Sequence, residues 1–176
     1  DGLFELGVTP VGIKTYANSR RLEKSLRLQN ADLETEYNLY EAGLARPKVK
    51  AADFHGKEAY LQQRELDEQA AYLCTFVLQD TTDSNGVKRY PVGNWPILDP
   101  ESKEVIIDSH GRRSYTTSMA FGPSLGVNIA MGYLPTDKAK EGDTVLIEYF
   151  GEHYEAKVMK VGYGALLDPT NERPKS

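Results

Sequence analysis

The pattern of apolar positions changes near residue 71. Upstream, in "IKTYANSRRLEKSLRLQ", Ile13, Tyr16, Leu22 and Leu26 spread over a wide arc that also holds Arg20 and Glu23. The stretch 11–30 lacks proline and, after Gly12, glycine, which predicts a helix. Thr9 is placed to cap it, and Pro10 would take the first helical position, where its missing N–H costs nothing. Charge mixed into the apolar arc predicts a helix half covered by neighbouring protein rather than a clean surface helix. Next comes an Asp-bearing turn and an extended stretch over 37–46, closed by Pro47. "DFHGKEAYLQQRELDEQA" predicts a second helix over 57–70, with Asp53 as its N-cap.

From residue 71 the texture is that of strands. "AAYLCTFVLQD" is rich in β-branched and aromatic residues, and Asn85-Gly86 is a turn signal. "WPILD", "EVIIDSHGRRSYTTSMA", "GVNIAMGYLP", "DTVLIEYFG" and "HYEAKVMKVG" supply further short strands, about six in all, spaced as in an all-β barrel. The expected organisation is α+β: a helical or mixed lobe over 1–70, a β lobe over 71–165 and a polar, fraying tail over 166–176.

Composition narrows the functions. With 176 residues and a net charge of −5, the chain is an ordinary globular sequence without the basic surface that nonspecific nucleic-acid binding requires. No apolar run reaches the roughly 18 residues of a membrane-spanning helix. A single cysteine, Cys74, excludes an internal disulfide and suits a reducing compartment, cytoplasmic or the mitochondrial matrix in a eukaryote.

Little catalytic chemistry stands out. His55, His110 and His153 lie far apart and, with one cysteine, predict no metal site. The "DSHG" at 108–111 reads as a β-turn rather than part of a triad. "GPSLG" at 122–126 has the spacing of a nucleophile elbow around Ser124, but strand-like sequence follows where that motif needs a helix. The densest polar cluster is Arg20, Arg21, Glu23, Lys24 and Arg27. It reads either as a solvated face with an i,i+4 pair between Glu23 and Arg27, or as a face offering one arginine to an anion.

Three blocks together resemble the glycine-cleavage T-protein (aminomethyltransferase) family. "ANSRRLEKSLRLQNADLETEYNLYEAGL" resembles an R-L-E helix, a turn with an acid and an E-A-G-L strand. Arg21-Leu22-Glu23 falls on R-L-E, Asp32 on the turn acid and Glu41-Ala42-Gly43-Leu44 on E-A-G-L. "DFHGKEAYLQQ" is similar to D-F-x-G-R/K-E-A-L, and "YTTSMAFGPSLGVNIAMGYLP" follows the family's T-S…P-S-L-x-x-N-I-A-M-G-Y-V-P.

The resemblance implies that 71–165 is a closed six-stranded Greek-key β-barrel and that 1–70 is the carboxy-terminal part of a folate-binding α/β lobe. Thr116, Thr117 and Ser118 would then supply β propensity and local hydrogen bonds. The implied function is the carboxy-terminal portion of a tetrahydrofolate-dependent one-carbon (aminomethyl or methyl) transferase. Its partners would be the amino-terminal remainder of the same enzyme and a methylated amine or other one-carbon donor. A noncatalytic binding or assembly domain with the same fold is the alternative. The family's catalytic aspartate would lie before Asp1, so this chain alone is expected to be inactive, with no catalytic or metal-binding residue of its own. The one site residue implied is Arg21, gripping folate. Its truncation to alanine is expected to weaken folate binding roughly 10- to 150-fold, whereas Arg27→Ala is expected to be nearly silent. Glu23 would orient Arg21 or pair with Arg27. Gln29-Asn30 and Phe150-Gly151 depart from the family pattern. These departures fit better with a sibling, such as the folate domain of a dimethylglycine or sarcosine dehydrogenase or a tetrahydrofolate-dependent demethylase.

Overall fold

The computed structural model describes residues 2–46, 48–66, 68–90 and 92–172. Six antiparallel strands form its centre: β1 (Ala71–Leu78), β2 (Ile97–Leu98), β3 (Thr116–Gly122), β4 (Val127–Pro135), β5 (Thr144–Tyr149) and β6 (Glu152–Val161). They lie in the order β2-β5-β6-β1-β4-β3 and make a half-barrel sheet. In place of the full closure expected of 71–165, β2 and β3 share no ladder, although an isolated bridge joins the residues beside them, Pro96 and Tyr115.

Strand periodicity differs across this sheet for a physical reason. Along β6 buried and exposed residues alternate, because one face meets the core and the other meets solvent. Strands β1 and β4 are buried almost throughout. Cys74, Phe76 and Leu78 of β1 and Ala130 and Leu134 of β4 point into the barrel core with Ile97, Ile147 and Val158. The opposite face, with Ala71, Leu73, Ile129, Met131 and Tyr133, packs around Leu22 of the first lobe.

Helices are few. A short α1 (Gly2–Glu5) precedes a π-helical turn (Thr15–Arg20) that runs into α2 (Arg21–Glu23), and α3 spans Lys57–Leu66. The helix expected over 11–30 is therefore shorter at both ends. Thr9 and Pro10 lie outside it, and its first turn closes when the Thr15 N–H donates to the Gly12 carbonyl. Its end is a paired hydrogen-bond motif: Ser25 N–H donates to Leu22 O at 2.9 Å and Leu26 N–H to Arg21 O at 2.8 Å. That geometry needs a left-handed residue, and Ser25 adopts it with φ 55°. Ser25 is completely buried, and its hydroxyl meets that of Thr75 at 3.0 Å.

The extended stretch expected over 37–46 is instead a run of turns. Asn38 Oδ1 accepts the N–H groups of Tyr40 and Glu41, a side-chain mimic of a backbone turn that draws the segment out of extended form. The expected closing role of Pro47 lies outside the described residues. Asp53 does not cap α3; its Oδ1 accepts the N–H of Phe54, the next residue. In the tail, the N–H groups of Leu166 and Leu167 both donate to Glu23 O.

Candidate functional site: the lobe–barrel seam and an adjoining cleft

A bulge in β3 creates the seam. The register against β4 shifts between Thr116 and Ser118, so two successive side chains reach the first lobe instead of facing opposite ways. Thr117 Oγ1 donates to Asp32 Oδ1 at 2.5 Å, and Ser118 Oγ accepts from Arg21 Nη2 at 2.6 Å. Thr116 stays local, its hydroxyl accepting the Trp95 N–H at 3.0 Å. Two of the three hydroxyls expected to serve local structure thus bind residues upstream of β1.

Arg21 lies in the centre of this seam, its side chain only 11% exposed. Nε donates to Ala17 O at 2.7 Å, Nη1 to Leu26 O at 3.2 Å and to the Asp32 carboxylate, and Nη2 to Ser118. Of a guanidinium's five N–H donors, one on Nη2 is not used by these bonds. Asp32 is fully buried and also accepts the Leu28 N–H, while its carbonyl takes the Tyr133 hydroxyl at 2.7 Å. Burial and the neighbouring Asp32 carboxylate push the Tyr133 phenol above its ordinary range, which keeps it a hydrogen-bond donor.

A second clamp lies at Glu41. Arg112 Nη2 donates to Glu41 Oε1 at 2.5 Å and Nη1 to Oε2 at 3.3 Å, a two-pronged pairing, while Nε holds Asp108 Oδ2 at 2.7 Å. The guanidinium covers the Tyr37 ring at 4.3 Å, and the other side of the stack is Tyr133, parallel at 3.5 Å. Burial works against the Arg112 charge, but Glu41 and Asp108 outweigh it and raise its pKa. Tyr115 donates its hydroxyl to Glu36 at 2.8 Å; burial and that carboxylate push its phenol up to about 12.

The remaining expected residues are separated. Glu23 neither orients Arg21 nor pairs with Arg27: its buried Oε1 accepts the Ser124 N–H at 2.6 Å. Ser124 sits in the β3–β4 turn with no helix after it, so it is no nucleophile elbow. Arg27 is half-buried rather than on a solvated face, with Nε donating to Ala42 O at 3.1 Å and Nη1 to Ser25 O. Lys24 reaches the tail through Asp168 O and Asn171 Oδ1, both at 2.9 Å. Arg20 is exposed, as are His55, His110 and His153 at three separate places. The turn at 108–111 is observed, closed by Gly111 N–H to Asp108 O at 2.9 Å.

Beside the seam lies a cleft of about 440 Å³ that the motifs did not indicate. Its lining combines the apolar or aromatic Leu39, Leu44, Phe54 and Tyr60 with the cations Arg46, Lys48 and Lys50. The sequence signal was present as three cations at alternate positions, without the fold that gathers them into one cleft with two aromatic residues.

Comparison with known proteins places this geometry. Residues 93–161 match the model of the glycine cleavage T-protein C-terminal barrel domain. An aminomethyltransferase of Koribacter versatilis is 29% identical over 156 residues, covering 88% of this chain and 37% of that protein. The mitochondrial dimethylglycine dehydrogenase of Rattus norvegicus is 28% identical over 162 residues, covering 90% of this chain and 17% of that protein. Among solved structures, glycine cleavage system aminomethyltransferase T from Bartonella henselae superposes with a TM-score of 0.62 at 25% identity, covering 80% of this chain and 36% of that one. The chain spans less than two-fifths of the length of each of these relatives.

Proposed function

We propose, from the match of residues 93–161 to the glycine cleavage T-protein C-terminal barrel domain, that the chain is the carboxy-terminal portion of a folate-dependent aminomethyl or methyl transferase. In this reading the barrel supports one wall of a site completed by the rest of the enzyme. The observation that carries it is a set of uncovered apolar side chains on the first lobe. Ile13, Tyr16, Leu26, Leu39 and Phe54 are each 41–82% exposed, and α3 buries none of its residues. Other residues of the lobe are held to the barrel by the Arg112–Glu41 pair and by the hydroxyls of Thr117 and Ser118 on Asp32 and Arg21. A lobe finished on one side and bare on the other is suited to a larger assembly.

The available donors fit a reduced folate, which combines a flat heterocycle with an aromatic amide and carboxylates. Arg21 keeps one Nη2 hydrogen for a carbonyl or carboxylate edge, so its folate contact is proposed in restricted form: it positions the wall first and touches ligand second. Tetrahydrofolate, when bound, would supply the nitrogen that accepts the one-carbon unit. The residues of this chain would hold it, exclude water and fix its orientation. We read the half-barrel as closing into the expected Greek-key barrel through Thr116 N–H to Trp95 O at 2.8 Å and Ile97 N–H to Ser114 O at 3.0 Å.

The test is turnover of a methylated amine, or of an aminomethylated carrier, with tetrahydrofolate by the full-length protein. The full-length protein is expected to be active and residues 1–176 alone inactive. A full-length protein that binds no reduced folate and transfers no one-carbon unit would leave a noncatalytic assembly role in its place.

A further inference from the structure

The turn between β5 and β6 holds an aromatic ring where its backbone least suits one. Tyr149 and Glu152 are the last ladder pair, so Phe150-Gly151 is a two-residue hairpin loop, with φ of 53° and 77°. Such a loop favours Asn-Gly or Asp-Gly, because a bulky side chain in the left-handed region is strained. Burial does not offset the strain, since Phe150 is 73% exposed. Its ring is held by two others. The Trp95 centroid lies 5.2 Å away at an interplanar angle of 51° and the Tyr149 centroid 4.6 Å away at 70°, while Trp95 and Tyr149 are 4.6 Å apart at 74°. Trp95 and Tyr149 in turn pack against the barrel core. Three steeply inclined rings thus stand at the hairpin tip, with Phe150 the most exposed.

The charge beside these rings is negative. Glu152 shares Tyr149's face of the ladder, its Oε1 accepting the hydroxyl and the N–H of Ser84, and Glu148 precedes Tyr149. Among the described residues neither carboxylate enters an ion pair, and no cation covers any of the three rings. Arg89, in the same loop as Ser84, is taken by Asp83, its Nε donating to Oδ2 at 2.7 Å. We propose that the tip is a docking point for a partner protein, which it takes by an arginine laid on the rings beside Glu152. A guanidinium gains from the ring faces and from the carboxylate together. An acidic partner would be repelled, and an apolar one would leave both carboxylates without a cation. None of these residues takes part in the proposed folate site, and the docking point is independent of it.

The experiment follows the Trp95 indole resonance of the full-length protein by NMR, assigned with Trp95→Phe. The probes are N-acetyl-arginine amide, its uncharged isostere N-acetyl-citrulline amide, and N-acetyl-leucine amide. The arginine amide is expected to shift the resonance saturably and to bind about 5-fold or more tightly than either other probe. Phe150→Asn places the favoured residue in the turn. It should fold with a raised unfolding midpoint and yet bind the arginine amide about 2- to 5-fold more weakly. Glu152→Gln, which keeps an acceptor for Ser84, should weaken the arginine amide and leave the citrulline amide unchanged. Equal binding of the three probes, or an unaltered arginine affinity in Phe150→Asn, would overturn the proposal. So would a resonance that moves with protein concentration alone, as a second copy seated on the tip would cause.

Discussion

Arg21 and Asp32, eleven residues apart in sequence, form a buried ion pair within the first lobe, and each partner also holds a hydroxyl of β3, Ser118 and Thr117. Asp32 is completely buried and its second oxygen is held by Thr117, so the pair belongs to a network spanning both lobes. Removing one partner strands the other charge. Arg21→Ala in the full-length protein is therefore expected to cost about 3–5 kcal/mol of stability, read from denaturant unfolding. The double variant Arg21→Met with Asp32→Leu should recover much of that loss, because neither charge is left alone. If Arg21→Ala lost folate affinity with unchanged stability, the arginine would be a ligand grip and not a clamp.

Arg27 reverses its sequence-based expectation. Instead of an exposed i,i+4 pair, its guanidinium links Ala42 O, Ser25 O and the face of Tyr163 at 5.3 Å. Charge-assisted bonds of this kind are typically worth about 1.5–3 kcal/mol. Arg27→Ala should lower the unfolding midpoint measurably, and a silent variant would show that these contacts do not persist in solution.

The strand segments and the family blocks were legible because they rest on local chemistry: β-branched runs, the turns at 83–86 and 108–111, and the G-P-S-L-G corner. The end of the first helix was not, since the left-handed position holds Ser25 where glycine is the usual signal. Residues 37–46 misled because Asn38 replaces backbone pairing with side-chain bonds, a choice fixed by position rather than composition. The roles of Thr117 and Ser118 depend on a bulge, which no residue pattern announces. The pairing of Arg112 with Glu41 crosses 71 residues and is visible only once the lobes are docked.

Gly43 and Gly126 allow a matched comparison. Both have positive φ, 67° and 71°, but a Cβ on Gly43 would lie 2.7 Å from Gly162 Cα, while none of the structure comes within 4 Å of one on Gly126. Gly126→Ala should cost about 1 kcal/mol, the backbone penalty alone. Gly43→Ala must also push apart two backbones at the junction of lobe and barrel, so it should be several-fold worse in the same thermal-shift measurement. Equal losses would mean that the close approach of residues 43 and 162 is not kept.

Asp108 makes the seam sensitive to acid. Burial raises its carboxyl, but the Arg112 backbone N–H, the Arg112 guanidinium and the His110 N–H outweigh that effect and hold its pKa below the usual value. A carboxyl depressed in the folded state stabilises the fold above its unfolded pKa, about 3.9. That contribution is lost as pH falls from there through the lower folded value. Stability should thus be flat in this term at neutral pH and decline below about pH 4, with proton uptake on unfolding. Asp108→Asn should be less stable at pH 7, by about 1–3 kcal/mol, and should show a shallower decline below pH 4 than the parent. Because Arg112 also grips Glu41, the loss should extend to the lobe, seen as faster hydrogen exchange at the Glu41 and Ala42 amides. A variant with an unchanged acid limb would mean that the proton taken up on unfolding binds elsewhere.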